Sequence, residues 1–230
     1  MSALETISQG IEAEARRHEF PIDEPIYIQS GRDPLIPILA AGNPGARVCS
    51  FGRDLGRDEV RYGQPQVGAA GKLVRTGVLA ALGVSPSLAD PRLEAALDHV
   101  FLSNTAPYKP PGNKAYTDRV KERFRPWIAR LLLDYWQGDT IITLGTEAFQ
   151  WFAPYVERGA AEEFWRREDR YEANLSVVLA AEWDGEPRQR VVTVAPLPHP
   201  SPLNARWVGL FPGLLRARLL ASTRPEAADV

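Results

Sequence analysis

Four short apolar runs, each cut off by residues that end strands, constrain the fold of this 230-residue chain more than any other feature. Ala46–Phe51 lies between the turn Asn43-Pro44-Gly45 and Gly52. Val100-Phe101-Leu102 stops at Ser103-Asn104, and Thr140–Leu144 is closed by Gly145. Arg190–Ala195 runs into Leu197-Pro198-His199-Pro200-Ser201-Pro202-Leu203-Asn204, where each proline removes a donor and holds its predecessor extended. Runs this short and this continuously apolar suit strands buried on both faces.

Helical stretches separate them. Ala3–Arg17 carries Leu4, Ile7, Ile11 and Ala15 at helix spacing. Gly68-Ala69-Ala70-Gly71 opens a helix to about Leu82, after a glycine-rich loop from Gly52 to Gly71. Asp118–Tyr135 is long and amphipathic, with Pro126 marking a kink or a restart. Thr146 is placed to cap a helix over Glu147–Val156, and Trp207–Ala221 forms a terminal helix. Tyr171–Ala180, the turn Asp184-Gly185 and Arg190–Ala195 read as a hairpin feeding the last strand. Glu24–Leu39, rich in proline and isoleucine, reads as an extended arm.

Strand, loop and helix in alternation predict an α/β fold. The expectation is a three-layer α/β/α sandwich around a short, mainly parallel four-stranded sheet. Residues 1–45 are expected to form a helix and arm packed on the body, 46–222 one domain, and 223–230 a polar tail.

Composition excludes several classes. One cysteine, Cys49, forbids an internal disulfide and any cluster held by four cysteines of this chain; with three histidines, a metal centre and a cofactor are not expected. No apolar run approaches the ~20 residues that span a bilayer. Met1–Phe20 has acidic residues and no apolar core of a secretory signal, so the cytoplasm is the default expectation. The net charge of −2 argues against coating nucleic acid by bulk charge, while leaving room for a local basic face.

In parallel sheets the loops after the strands' carboxyl ends converge on one edge. Those loops carry Arg53-Asp54, Asn104 and His199. A carboxylate at Asp54 can activate water or stabilise a cation, or simply bind loop amides in an Asx-turn. Asn104 offers one acceptor and two donors to a heterocycle edge, or caps a loop. His199, braced by Pro198 and Pro200, can donate to an oxygen that gains charge as a leaving group departs, or be structural.

Taken in order, these motifs resemble the uracil-DNA glycosylase superfamily from residue 52 to 203. Gly52-Arg53-Asp54-Leu55-Gly56 is similar to the family's first motif, with Asp54 where the cluster-free enzymes carry a water-activating Asp. Gly63-Gln64-Pro65-Gln66-Val67-Gly68-Ala69-Ala70-Gly71 resembles the segment that follows it in the iron–sulfur branch. Asn104 with Pro110-Pro111-Gly112-Asn113 is similar to that branch's uracil-reading Asn and its loop. Leu144-Gly145-Thr146-Glu147-Ala148 is a weaker signature, and His199-Pro200-Ser201-Pro202-Leu203 resembles the catalytic and wedge loop of the cluster-free enzymes.

The resemblance implies a monofunctional glycosylase that flips uracil out of DNA and hydrolyses its N-glycosidic bond. Asp54 and His199 would be catalytic. Asn104, Gly52, Arg53, Gln66, Phe51 and Tyr62 would line the base, with Tyr108 a further stacking candidate. Ser201, Gly68, Lys72, Lys109, Lys114 and Arg206 would meet DNA, Arg57, Arg61 and Arg75 would add positive charge, and Leu203 would be the wedge or a core leucine. Uracil-containing DNA is the expected partner, and the protein is expected to act as a monomer. Gln66 stands where the iron–sulfur branch has a stacking Phe, and Gly56 where the cluster-free enzymes have a thymine-excluding Tyr. A module that binds uracil or abasic DNA without turnover, an enzyme with scope widened to hypoxanthine or xanthine, and an enzyme acting on free nucleosides are the alternatives.

Overall fold

The computed structural model describes residues 2–112, 114–201, 207 and 209–223. Six strands form one sheet: β1 (Ala40–Gly42), β2 (Val48–Gly52), β3 (Phe101–Asn104), β4 (Thr140–Leu144), β5 (Leu175–Trp183) and β6 (Glu186–Leu197). The order is β1-β3-β2-β4-β6-β5. The inner pairs β3–β2, β2–β4 and β4–β6 are parallel, and both edge pairs are antiparallel.

The four parallel strands are those read from the apolar runs; the expected count of four is corrected to six. β1 was hidden because it is three residues long and lies in what reads as an arm. β5 is the first leg of the hairpin and joins the same sheet, continuing past Ala180 to Trp183.

Alternation along the strands explains the three layers. Cys49, Phe51, Phe101, Ile141, Val192 and Val194 face one way. There they meet Ile7 and Ile11 of helix α1 (Ala3–Arg17) and Phe124 and Ile128 of helix α5 (Asp118–Arg130). Val48, Leu102, Ile142, Leu144, Ala195 and Leu197 face the other way. They pack on Val74 and Val78 of helix α4 (Ala69–Ala81) and on Phe211, Leu215 and Leu219 of the last helix, α8 (Phe211–Thr223). Every residue of β2, β3 and β4 is buried, as a two-sided sheet requires.

Local chemistry sets the helix ends. Ser2 and Glu5 form a capping box at the start of α1, with Ser2 N–H donating to the Glu5 carboxylate at 2.7 Å. Gly10 lets α1 approach α5, since a Cβ there would lie 2.1 Å from the Trp127 ring. Pro126 sits inside α5 without ending or restarting it, and the helix then widens to π geometry over Leu131–Tyr135. Glu24–Gln29 is helical (α2) where an extended arm was expected. Two more short helices are present: α3 (Arg57–Tyr62), in the stretch read as a glycine-rich loop, and α7 (Ala160–Arg166), in a stretch to which the sequence assigned no element. Helix α6 covers Thr146–Gln150, shorter than expected; Gly145 stands at the N-cap and the Thr146 side chain makes no cap bond.

Register decides where the chemistry collects. Gly52 pairs with Asn104 across β2–β3, and Leu144 pairs with Leu197 across β4–β6. Four parallel strands thus end at one edge, and their loops open together.

Candidate active site

At that edge is a cleft of about 590 Å³. The β2 loop, the N-terminus of α4, Asn104, the Lys109–Lys114 loop and the His199–Ser201 turn all line it.

The β2 loop is stitched to β3 by Thr105, whose backbone N–H donates to the carbonyls of Gly52 at 3.0 Å and Arg53 at 2.8 Å. The Thr105 hydroxyl donates to the Arg53 carbonyl as well. This anchor sets Asp54, whose side chain is only 1% exposed. Its Oδ2 accepts the Tyr116 N–H at 3.3 Å and faces Arg53 Nε, also at 3.3 Å. Its Oδ1 is buried and has no partner among the described residues. Burial raises the Asp54 pKa above the ordinary carboxylate value, with Arg53 the largest opposing influence. A carboxylate so desolvated, with one oxygen uncommitted, suits holding and deprotonating a water.

Asn104 ends β3, buried at 4% exposure. Its Nδ2 donates to Glu59 Oε1 at 3.3 Å. Gly52 opposite it must lack a side chain, because a Cβ would lie 2.4 Å from Asn104 Oδ1. Glu59, on α3, also accepts the backbone N–H groups of Gly56 and Gln66. Its pKa is raised by burial, against which those three donors work.

Gln66 adopts a left-handed backbone, φ 53°, and its side chain threads under the strand ends. Nε2 donates to the Ser50 carbonyl at 2.8 Å and the Ser103 carbonyl at 2.9 Å, and Oε1 accepts from the Ser50 hydroxyl at 2.7 Å. Gln66 lines the cleft, but both its amide hydrogens are committed to protein.

His199 follows β6 and is exposed to the cleft between buried Pro198 and Pro200. Gly145, at φ +87°, makes room for it: a Cβ there would lie 2.9 Å from the His199 Cβ. Desolvation and the Arg53 cation hold the imidazole below its usual pKa, which favours the neutral form at neutral pH. Beside it, Gly68, Ala69, Ala70 and Gly71 bring the first turn of the 13-residue α4 to the cleft wall. A helix N-terminus of this kind favours an anion.

Asp54, Asn104, Gly52, Arg53, Gln66, His199, Ser201, Gly68, Lys109 and Lys114 therefore share one cleft. Others of the expected set do not. Phe51 is fully buried, its ring edge-on to Trp151 and Phe152 at 5.2 and 5.4 Å, so it cannot stack on a base. Tyr62 is 63% exposed at the end of α3 and lies off the cleft wall. Tyr108 is buried against Phe20 and Phe124 and donates to the Leu35 carbonyl. Among the described residues, no Phe, Tyr or Trp side chain lines the cleft.

Lys109 reaches the wall, yet its three ammonium hydrogens go to Asp23 at 2.7 Å, Pro110 O at 2.9 Å and Gly112 O at 2.8 Å. It clamps the loop and is not free for phosphate. Arg75 is buried and paired with Glu94. Lys72 is exposed on α4 outside the cleft wall, whereas Arg57 and Lys114 are exposed and on it. Leu203 and Arg206, with Asn113 and the tail, lie outside the described residues.

Glu59 was missed from the sequence. Its one signal is spacing: Gly56-Arg57-Asp58-Glu59 places an acid three residues after a helix N-cap. The Lys109 clamp has no sequence signal, because its partner Asp23 is 86 residues away.

A cysteine-held cluster does not fit this chain. Cys49 is the one cysteine, wholly buried in the core, and burial pushes its thiol pKa up. No group of three or more His, Cys, Asp or Glu side chains suited to a metal occurs among the described residues. No helix among them is long and apolar enough to cross a membrane.

Comparison with known proteins agrees with the geometry. The model of the Uracil DNA glycosylase superfamily matches residues 39–220. A Type-4 uracil-DNA glycosylase of Archaeoglobus fulgidus is 32% identical over 113 residues, which are 49% of this chain and 50% of that protein. The match thus spans about half the length of that curated relative.

Proposed function

The chain belongs to the Uracil DNA glycosylase superfamily, and on that premise we propose that it is a monofunctional uracil-DNA glycosylase. The observation that carries this reading is the convergence of Asp54, Asn104 and His199 from three parallel strand ends on one cleft.

Each has a distinct task. The flipped base enters with its Watson–Crick edge toward Asn104, at an unstacking cost of a few kcal/mol. As the C1′–N1 bond breaks, its electron pair leaves with the uracil. Neutral His199 donates an N–H to the oxygen that gains this charge; one such donor is worth about 3–4 kcal/mol. The positive end of α4 lies on the same wall and adds to that field, or receives a flanking phosphate with Ser201. Asp54 stabilises the cationic sugar, orients a water toward C1′ and takes its proton as the new C–O bond forms. The products are free uracil and an abasic deoxyribose. Base excision repair is the setting this chemistry serves.

Among the described residues, Arg57 and Lys114 are exposed cations on the cleft wall and would receive the DNA backbone. Leu203 remains the proposed wedge, four residues past His199. A cofactor-free monomer acting in the cytoplasm is part of the same reading. Gln66 stands where a stacking ring would be, and no tyrosine lines the cleft among the described residues, so thymine and hypoxanthine belong in the substrate panel.

The test is uracil release from single- and double-stranded oligonucleotides in EDTA, read as alkali-labile sites. Strand breaks at uracil alone support the proposal. Tight binding with no release by the wild-type protein would replace it with the binding-module reading. Asp54→Asn and His199→Ala should each lose about 100-fold or more in single-turnover rate.

A further inference from the structure

We propose that Glu59 is the specificity-determining positioning residue of this site: its carboxylate fixes which end of the Asn104 amide meets the base. The inference rests on the uracil-excision reading and deepens it.

An asparagine amide turned by half a rotation about its last bond exchanges oxygen and NH₂ with almost no change of shape. The two orientations read different bases. Uracil presents an N3–H donor beside an O4 acceptor. It pairs with an amide whose Oδ1 accepts from N3–H while Nδ2 donates to O4. Cytosine presents an N3 acceptor beside an N4 amino donor, which fits the reversed amide. A site that used Asn104 alone would discriminate only as well as that rotation is controlled.

Glu59 controls it. Backbone N–H groups of Gly56 and Gln66 both donate to its carboxylate, so it cannot swing away. Its Oε1 takes one Nδ2 hydrogen of Asn104 at 3.3 Å, leaving the second hydrogen and Oδ1 for the base. Reversal would set Oδ1 against a carboxylate oxygen, losing a charge-assisted bond and adding repulsion. Gln66 cannot rescue the reversed state, because both its amide hydrogens are held by the Ser50 and Ser103 carbonyls. The Asn104 amide also has little room to tilt, lying over Gly52 where a Cβ would come within 2.4 Å.

Glu59→Gln is the decisive variant, since an amide at 59 can present either an oxygen or an NH₂ to Asn104. The measurement is the ratio of Kd values for oligonucleotides carrying a non-cleavable deoxyuridine or deoxycytidine analogue, with uracil release measured in parallel. The expected result is a fall in uracil affinity and a narrowing of the uracil-to-cytosine ratio by about tenfold. A purely structural Glu59 would weaken both complexes alike, and a ratio within twofold of wild type overturns the inference while wild-type excision leaves the glycosylase reading intact. A wild-type protein that neither excises uracil nor prefers it overturns both.

Should Glu59→Gln fail to fold, the wild-type protein decides by NMR of selectively ¹⁵N-asparagine-labelled material. One downfield-shifted, exchange-protected Asn104 side-chain proton is the expected signature. Two averaged, rapidly exchanging protons overturn the proposal.

Discussion

Gly145 and His199 touch: a Cβ on Gly145 would stand 2.9 Å from the Cβ of His199, at a backbone φ of +87° that only glycine adopts without strain. The glycine ends β4, and the histidine follows β6. One small residue thus sets how near the His199 turn comes to the sheet. Gly145→Ala should push His199 outward by a fraction of an ångström or more. Single-turnover uracil release should fall about 100-fold, the usual cost of misplacing a catalytic group by about 1 Å. The melting temperature should also drop. Wild-type turnover in this variant would remove His199 from the mechanism.

A second glycine leaves room for Asn104, the proposed base reader. A Cβ at Gly52 would meet Asn104 Oδ1 at 2.4 Å and Gln66 Nε2 at 3.5 Å. Gly52→Ala should therefore displace the Asn104 amide while leaving the cations of the cleft rim in place. Affinity for uracil-containing DNA should fall by about 1–3 kcal/mol, and affinity for uracil-free DNA should hold. Competition binding separates the two; an equal loss for both ligands would show that Asn104 does not read the base.

These two glycines show how much of the site was legible. Gly52, Asn104, Gly145 and His199 were visible because strand ends announce themselves: an apolar run stops at a residue that breaks it. Helix α1 was legible for a like reason, its apolar residues recurring at a spacing only a helix uses. Glu59 was not, since one acid in a charged six-residue helix looks like any solvated face. Phe51 and Tyr62 misled because aromatic residues near a motif suggest stacking. Whether a ring faces the cleft or the core depends on strand parity, and Phe51 lies one residue from the edge on the α1 face of the sheet. β1 escaped because three residues carry no period.

Asp54 is expected to be ionised in the working enzyme, so its raised pKa sets the acid limb of the rate profile. Uracil release should rise with pH through a transition above the ordinary carboxylate value of about 3.9. Arg53 opposes the rise. Arg53→Gln removes that cation, lifts the Asp54 pKa further, and should move the acid limb to higher pH. Single-turnover rates across the acidic range test this; a limb that stays put or moves down would show that another group is titrating.

The same carboxylate should cost stability. Its folded-state pKa lies above its unfolded one, so its contribution is most favourable below the unfolded value and is lost as pH rises through the folded one. At pH 7 the ionised, buried Asp54 therefore destabilises the fold. Asp54→Asn should raise the melting temperature by a few degrees near neutrality while slowing uracil release about 100-fold or more, and the gain should shrink toward pH 4. Thermal unfolding of both proteins across this range gives the answer; a variant less stable at every pH would show that the carboxylate's bond to Tyr116 N–H outweighs its desolvation.

Lys109 and Lys114 flank the same loop, five residues apart, and should behave as opposites. Lys109 is buried, with every ammonium hydrogen taken by Asp23, Pro110 and Gly112. Lys109→Met leaves those acceptors without their donor, so it should cost about 1–3 kcal/mol of stability. Lys114 is exposed on the cleft wall, and Lys114→Met should leave the melting temperature within about a degree. In DNA binding the order reverses. Removing a lysine that neutralises one phosphate lowers the slope of log K against log salt by about 1. Lys114→Met should show that reduction, and Lys109→Met, measured below its melting range, should keep the wild-type slope. A reduced slope for Lys109→Met would mean that the clamp opens and delivers its charge to DNA when the substrate binds.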